Sequence, residues 1–89
     1  MFMVNGLVWD DWNKEHLTLH RITIEEVEEV CHGRHLVKES YRKRILLIGK
    51  IGKTKMGRQL AVVLSPEDRN FKVYGNGFYY VITAFEMEV

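Results

Sequence analysis

The pattern of apolar and polar positions changes once along the chain, near Gly33. Before this residue, apolar positions recur every three or four residues, which is typical of helices that bury one face. After it, short runs rich in Val, Ile, Leu and Tyr alternate with polar residues, as strands do. The pattern therefore predicts two helices and then a series of strands, with a short strand at Leu7–Trp9 in front.

The first helix is predicted to begin at Asp10 or Asp11 and to end near His20. An aspartate at this position caps a helix because its side chain accepts from free amides of the first turn. Helical spacing places four residues of this helix on one face, namely Trp12, His16, Leu19 and His20. Side chains four residues apart point the same way, so the two histidines should lie side by side.

The second helix is predicted to begin at Thr23, which forms a capping box with Glu26. Gly33 is expected to end it in a left-handed conformation. The buried stripe of this helix consists of Ile24, Val27, Val30 and Cys31. The solvent-facing side consists of Glu25, Glu26, Glu28 and Glu29.

The strands are expected at His35–Ser40, Arg44–Lys50, Gln59–Leu64 and Phe78–Ala84. Gly49–Gly57 supplies the turn between two of them, and Asn76–Gly77 is a tight-turn signal that joins Phe71–Tyr74 to Phe78–Tyr80. Strands joined by short loops pair antiparallel. The predicted fold is therefore α+β, with two N-terminal helices packed on one face of a four- to five-stranded antiparallel sheet.

Length and composition place the chain among small cytoplasmic proteins. Its 89 residues predict a single domain, 1–89, and no apolar run approaches the roughly 20 residues that span a bilayer. The segment Met1–Trp9 lacks the basic region of a signal peptide. A lone cysteine, Cys31, excludes an internal disulfide and favours a reducing compartment.

Charge is distributed unevenly along the chain, although the net charge is only +1. Residues 34–58 contain nine basic residues and one acidic residue, whereas residues 1–33 carry a net charge of −5. A strongly basic middle third predicts RNA or an acidic protein as partner. The alternative is that these side chains only decorate the solvent face of a hairpin. The predicted RNA-binding residues are Arg42, Lys43, Arg44, Lys50, Lys53 and Lys55.

RNA cleavage without a metal needs a base, an acid and a cation that stabilises the phosphate. His16 and His20 are predicted to transfer protons, because imidazoles titrate near neutrality. Arg58, with Arg44 as a second choice, is predicted to supply the cation, because a guanidinium binds phosphate through two donors. The alternative is that each histidine is a packed, hydrogen-bonded residue beside Trp12 and Leu19.

Metal and nucleotide sites are not predicted. The pair His16 and His20 lacks a third ligand at convincing spacing, and Cys31–His32 with His35 forms only a loose cluster. Gly49–Thr54 contains Gly-Lys-Thr, but it lacks the earlier glycine of a phosphate-binding loop and the helix that should follow. No cofactor is therefore expected.

Four segments, in order, resemble the BrnT family of toxins from type II toxin–antitoxin systems. The segment Trp9–His16 is similar to the opening strand and helix of that family, and Leu19–Val30 to its glutamate-rich helix. Gly57–Leu64 is similar to the Gly-Arg-x-Leu strand, and Tyr80–Ala84 to the last strand. The resemblance extends over about 80 of the 89 residues.

The resemblance implies a RelE-like fold, a ribonuclease that inhibits translation, and a cognate antitoxin encoded by the adjacent gene. Leu19-His20-Arg21 stands where the family has Lys-His-Gly, and Phe85 stands where it usually has arginine. The family also continues into a basic helix, whereas this sequence ends at Val89. Loss of positive charge favours a second hypothesis, a non-catalytic module of the same fold that binds an acidic protein. A third is an unrelated small domain that binds an acidic partner and no RNA.

Overall fold

The computed structural model of the chain describes residues 3–39, 43–51 and 58–87. Along the chain the elements are β1 (Gly6–Val8), α1 (Asp11–Leu19), α2 (Ile24–His32), β2 (Leu36–Glu39), β3 (Ile45–Ile51), β4 (Arg58–Ser65) and β5 (Phe78–Met87). This order confirms the predicted α+β class, in which one strand and two helices precede the remaining strands.

Both predicted helix caps are present. The side chain of Asp10 accepts from the Asn13 amide at 2.9 Å, and the side chain of Asn13 accepts from the Asp10 amide at 2.8 Å. Thr23 and Glu26 form the same reciprocal pair at 3.1 and 2.9 Å. Each pair satisfies amides that have no partner within the helix, so the local sequence alone fixes where both helices begin.

The sheet is mixed, so the prediction of a wholly antiparallel sheet was wrong. Its strand order is β1-β5-β4-β3-β2, and the four strands from β2 to β5 pair antiparallel as predicted. The exception is β1, which pairs parallel with β5, with Leu7 opposite Tyr79. Two helices and three strands separate β1 from β5 along the chain, and such a long connection permits parallel pairing.

The hydrophobic core lies between the two helices and one face of the sheet. Leu17 of α1 and Val27, Val30 and Cys31 of α2 are buried against Leu47, Leu60, Val62, Leu64, Val81 and Ala84 of the strands. Ile24 is half-buried beside them, so the predicted stripe of α2 is confirmed. The register of β5 shifts at Ile82, because Val63 pairs with Thr83 while Leu64 pairs with Val81. This β-bulge lets Val81 and Ala84 face the same core.

Two glycines serve close packing rather than the turns predicted for them. Gly33 has φ −101° and ψ −157°, which is not left-handed, and a Cβ there would lie 2.7 Å from the Glu29 carbonyl oxygen. Gly49 lies within β3 and not in a turn, and a Cβ there would lie 2.9 Å from the Arg34 carbonyl oxygen. The close approach of backbone requires glycine at both sites. Residues 52–57 of the predicted turn are outside the described residues.

The segment Phe71–Tyr74 is a loop, not the predicted strand, and only Val73 forms a bridge, with Glu67. The reason is local: the Asp68 carboxylate accepts from the amides of Asn70 and Lys72, which bends the chain back on itself. The Asn76–Gly77 turn signal is confirmed, because both residues have positive φ, 59° and 79°.

The face of the sheet opposite the helices carries a band of apolar side chains. Register places Leu36 beside Ile48, Leu46 beside Val63, and Ala61 beside Phe85, all pointing away from Leu47 and Val62 of the core. Leu36 is 65% exposed and Phe85 39%. The two described helices pack on the other face. In this band, called the open face below, Leu46 and Val63 are half-buried, and Ile48 and Ala61 are buried.

Candidate functional site

Three rings of α1 form a ladder on the protein surface. The Trp12 and His16 rings are stacked with centroids 5.0 Å apart, and the His16 and His20 rings meet edge to face at 5.3 Å. The predicted alignment of these residues on one helical face is therefore confirmed. Trp12 is 38% exposed and His20 is also exposed, whereas His16 is half-buried.

This face of α1 points to solvent because the opposite face of the helix packs against the sheet. Leu17 is buried in the core, and Asn13 is 1% exposed, with its amide donating to the carbonyls of Val8 and Val81 at 3.0 Å each. Leu19 is 79% exposed. His16 packs between the Trp12 and His20 rings, as the alternative to a catalytic role expects, but the ladder lies on the surface, so the imidazoles can be reached from solvent.

A cation from a distant loop lies against the ladder. The guanidinium carbon of Arg69 is 4.2 Å from the centroid of the Trp12 ring, a distance at which a cation is attracted to the face of the ring. Arg69 was not among the residues predicted from the sequence. A contact between residues so far apart along the chain leaves no pattern in the sequence.

The start of α1, next to Trp12, is anchored to β5. The hydroxyl of the fully buried Tyr80 donates to the carboxylate of Asp10 at 2.9 Å. Burial, and then the hydrogen bond to Asp10, raise the pKa of Tyr80 well above its usual range. The phenol therefore remains a hydrogen-bond donor at any physiological pH and holds the start of α1 against the sheet.

Arg58, the predicted phosphate ligand, forms ion pairs with two carboxylates. Its guanidinium lies 2.8 Å from Glu26 of α2 and 3.1 Å from Glu86 of β5. The hydrogen bond to Glu86 and the negative charge of Glu26 raise the pKa of Arg58. Two carboxylates around one guanidinium leave a net negative cluster, which repels phosphate. Arg58 therefore contacts residues of α2 and β5, whereas the His20 ring contacts the His16 ring.

Glu26 and Glu28, both predicted to face water, contact specific partners. Glu26 holds Arg58 and is half-buried. Glu28 accepts from the Trp9 indole at 3.1 Å and lies 2.8 Å from His32. The sequence pattern did not show these contacts, because their partners come from other elements or from the next turn of α2.

The predicted RNA-binding residues are only partly within the described chain. Lys43, Arg44 and Lys50 are exposed, while Arg42, Lys53 and Lys55 lie outside the described residues. The strand predicted at Arg44–Lys50 is observed as β3, which begins at Ile45, and Lys43 before it has φ 63°, a turn conformation.

No three His, Cys, Asp or Glu side chains within residues 3–39, 43–51 and 58–87 are grouped as metal ligands. His35 approaches the carbonyl of Val30 at 2.9 Å and His32 pairs with Glu28, while Cys31 is buried. Burial raises the pKa of Cys31 to about 12, with a smaller contribution from the charge of Glu28. The thiol is therefore protonated near neutrality and is a core residue rather than a nucleophile.

Comparison with known proteins gives no relative: no family model, no curated protein and no solved structure matches the chain. In the part of the chain that the structure describes, no helix has the length and apolar character needed to cross a membrane. The function must therefore be inferred from the site itself.

Proposed function

We propose that this protein is a ribonuclease that cleaves RNA without a metal, using His16 and His20. One imidazole accepts the proton of a ribose 2′-hydroxyl, and the 2′-oxygen then attacks the adjacent phosphorus. The bond to the 5′-oxygen breaks, and the other imidazole, protonated, donates its proton to that oxygen. The products are a 2′,3′-cyclic phosphate and a 5′-hydroxyl.

The observation that carries this proposal is the solvent-accessible pair of imidazoles, with ring centroids 5.3 Å apart. Rings this close can both contact one phosphodiester, whose attacking and leaving oxygens lie on opposite sides of the phosphorus. Arg69, over the Trp12 ring at the end of the ladder, supplies positive charge for phosphate.

Cleavage of a labelled single-stranded RNA in EDTA tests the proposal. The wild type should cleave, and His16→Ala or His20→Ala should each lower kcat/KM about 100-fold or more, because general acid–base catalysis contributes roughly 10²–10⁴-fold. Glu25→Ala, an exposed change on α2, should have no effect. Arg58→Ala belongs in the same series: if it abolishes cleavage with the fold intact, Arg58 is the catalytic cation despite its two carboxylates.

We further propose that the protein is a BrnT-like toxin of the cytoplasm whose antitoxin covers the open face. The apolar band with exposed Leu36 and Phe85 offers the area that a partner can bury. Lys38 projects from the same face, beside Leu46, and gives the edge of the apolar band a positive charge that suits an acidic partner segment.

Co-expression with the adjacent gene product should give a complex, and Phe85→Asp should disrupt it, whereas Glu25→Ala on the helix side should not. A neighbour that never co-purifies, together with wild type harmless to growth, would contradict the toxin assignment.

The second candidate function is a non-catalytic module of this fold. It is favoured by the net negative cluster around Arg58 and by the apolar Phe85 on the open face. Under this alternative the co-purified complex forms as described, but the isolated protein leaves RNA intact in EDTA. The two assays together therefore separate the two functions.

A further inference from the structure

The loop between β4 and β5 is built around the carboxylate of Asp68. One of its oxygens accepts from the amides of Asn70 at 2.8 Å and Lys72 at 3.0 Å, and the other accepts from the hydroxyl of Tyr74 at 3.0 Å. The backbone closes the same loop, because the Asp68 amide donates to the Lys72 carbonyl and the Phe71 amide to the Asp68 carbonyl. The loop therefore has one well-defined conformation.

This loop presents Phe71 to solvent at an energetic cost. The side chain of Phe71 is 78% exposed, and its φ of 64° is left-handed, a conformation that bulky residues rarely adopt. An exposed phenyl ring contributes little to the core, and glycine or asparagine would suit the backbone better. Strain of this kind at an exposed position points to a binding role.

Basic residues stand on both sides of Phe71 in the sequence. Arg69 lies two positions before it and Lys72 one position after it, and the Lys72 ammonium is 5.3 Å from the centroid of the Tyr74 ring. Arg69 also contacts Trp12, so the loop adjoins the ladder of α1. Two residues of extended chain span at most about 7 Å, which places Phe71 within roughly one nucleotide step of Arg69. An aromatic ring between cations is the combination that binds single-stranded nucleic acid, by stacking on a base and pairing with phosphates.

We propose that Phe71 stacks on a base of the single-stranded RNA whose scissile phosphate lies at His16 and His20. The proposal rests on the proposed function, because the RNA is the substrate of that site. Asp68 positions the ring, and Arg69 and Lys72 contact the backbone on either side. Duplex RNA should bind less well, since its base faces are already stacked.

The test measures the affinity of a fluorescein-labelled single-stranded RNA by anisotropy at several salt concentrations. Phe71→Ala should weaken binding about 10-fold at every salt concentration, because base stacking releases no counterions. Phe71→Trp should restore the affinity, and Val73→Ala, a neighbouring exposed apolar change, should leave it unaltered. The same RNA annealed to its complement should bind the wild type more weakly.

The outcomes separate this proposal from the function on which it rests. Wild type that binds no single-stranded RNA would overturn both. Wild type that binds and cleaves RNA, with unchanged affinity in Phe71→Ala, would overturn only the stacking role of Phe71. A loss in Phe71→Ala that Phe71→Trp does not restore would also overturn it, because the aromatic face would not be the cause. If Phe71→Ala spares RNA binding and disrupts co-purification of the adjacent gene product, the ring binds protein instead.

Discussion

Replacement of Asn13 should destabilise the protein more than any surface change, because its amide joins three elements. It donates to the carbonyls of Val8 in β1 and Val81 in β5, and it accepts from the Asp10 amide at the start of α1. The side chain is 1% exposed, so water cannot replace these partners. Asn13 therefore links the parallel pair of β1 and β5 to the helix that carries the ladder.

The magnitude follows from the hydrogen bonds that Asn13→Ala removes. Three side-chain hydrogen bonds at a net 0.5–1.5 kcal/mol each give a decrease of about 3 kcal/mol in the free energy of unfolding. For a domain of this size that decrease lowers Tm by roughly 12–24 °C. Asn13→Asp should be at least as damaging, because a carboxylate has no N–H to donate and would face two carbonyl oxygens.

Thermal and urea unfolding followed by circular dichroism measure the effect. Lys14→Ala, an exposed change at the next position of α1, is the matched control and should alter stability by less than about 0.5 kcal/mol. If Asn13→Ala is as stable as Lys14→Ala, the amide does not join β1 to β5. The inference that Asn13 holds β1 and β5 against α1 would then fail.

Two further predictions concern charged and titratable groups. In the folded protein, burial and the charge of Glu28 raise the pKa of the Cys31 thiol from 9.0 to about 12. As the pH rises between these two values, the thiol of the unfolded chain loses its proton before the thiol of the native protein does. The free energy of unfolding should therefore fall with rising pH relative to Cys31→Ala, and equal pH slopes in urea titrations would contradict this. Arg58→Ala should lower stability by about 1 kcal/mol or less, because its ion pairs are partly exposed, and a decrease above about 2 kcal/mol would show that they are essential to the fold.

Helix starts and the antiparallel pairing of successive strands could be predicted from sequence, whereas the pairing of β1 with β5 could not. Asp10 and Thr23 mark the helix starts because each cap involves residues three apart. The polar character of Asn13 gives no sign that its side chain is buried against both β1 and β5. The predicted strand at Phe71–Tyr74 failed because one side chain, Asp68, captures the amides that a strand would need.

In the candidate site, too, local spacing could be predicted from the sequence, whereas contacts between distant residues could not. Helical spacing predicted that His16 and His20 lie together, but not that they face solvent, since that depends on Leu17 and Asn13 filling the interior. The cation beside Trp12 comes from Arg69, and no periodicity connects two such distant positions. Arg58 was predicted as a free cation because the sequence does not reveal that Glu26 and Glu86 converge on it.

A role of His16 and His20 in metal-free attack by a ribose 2′-hydroxyl is tested by two single-stranded RNAs of one sequence in EDTA, one unmodified and one with 2′-O-methyl groups throughout. Wild type should bind both RNAs but cleave only the unmodified one, leaving 2′,3′-cyclic phosphate ends. Intact unmodified RNA, or cleavage of the methylated RNA, would contradict this role.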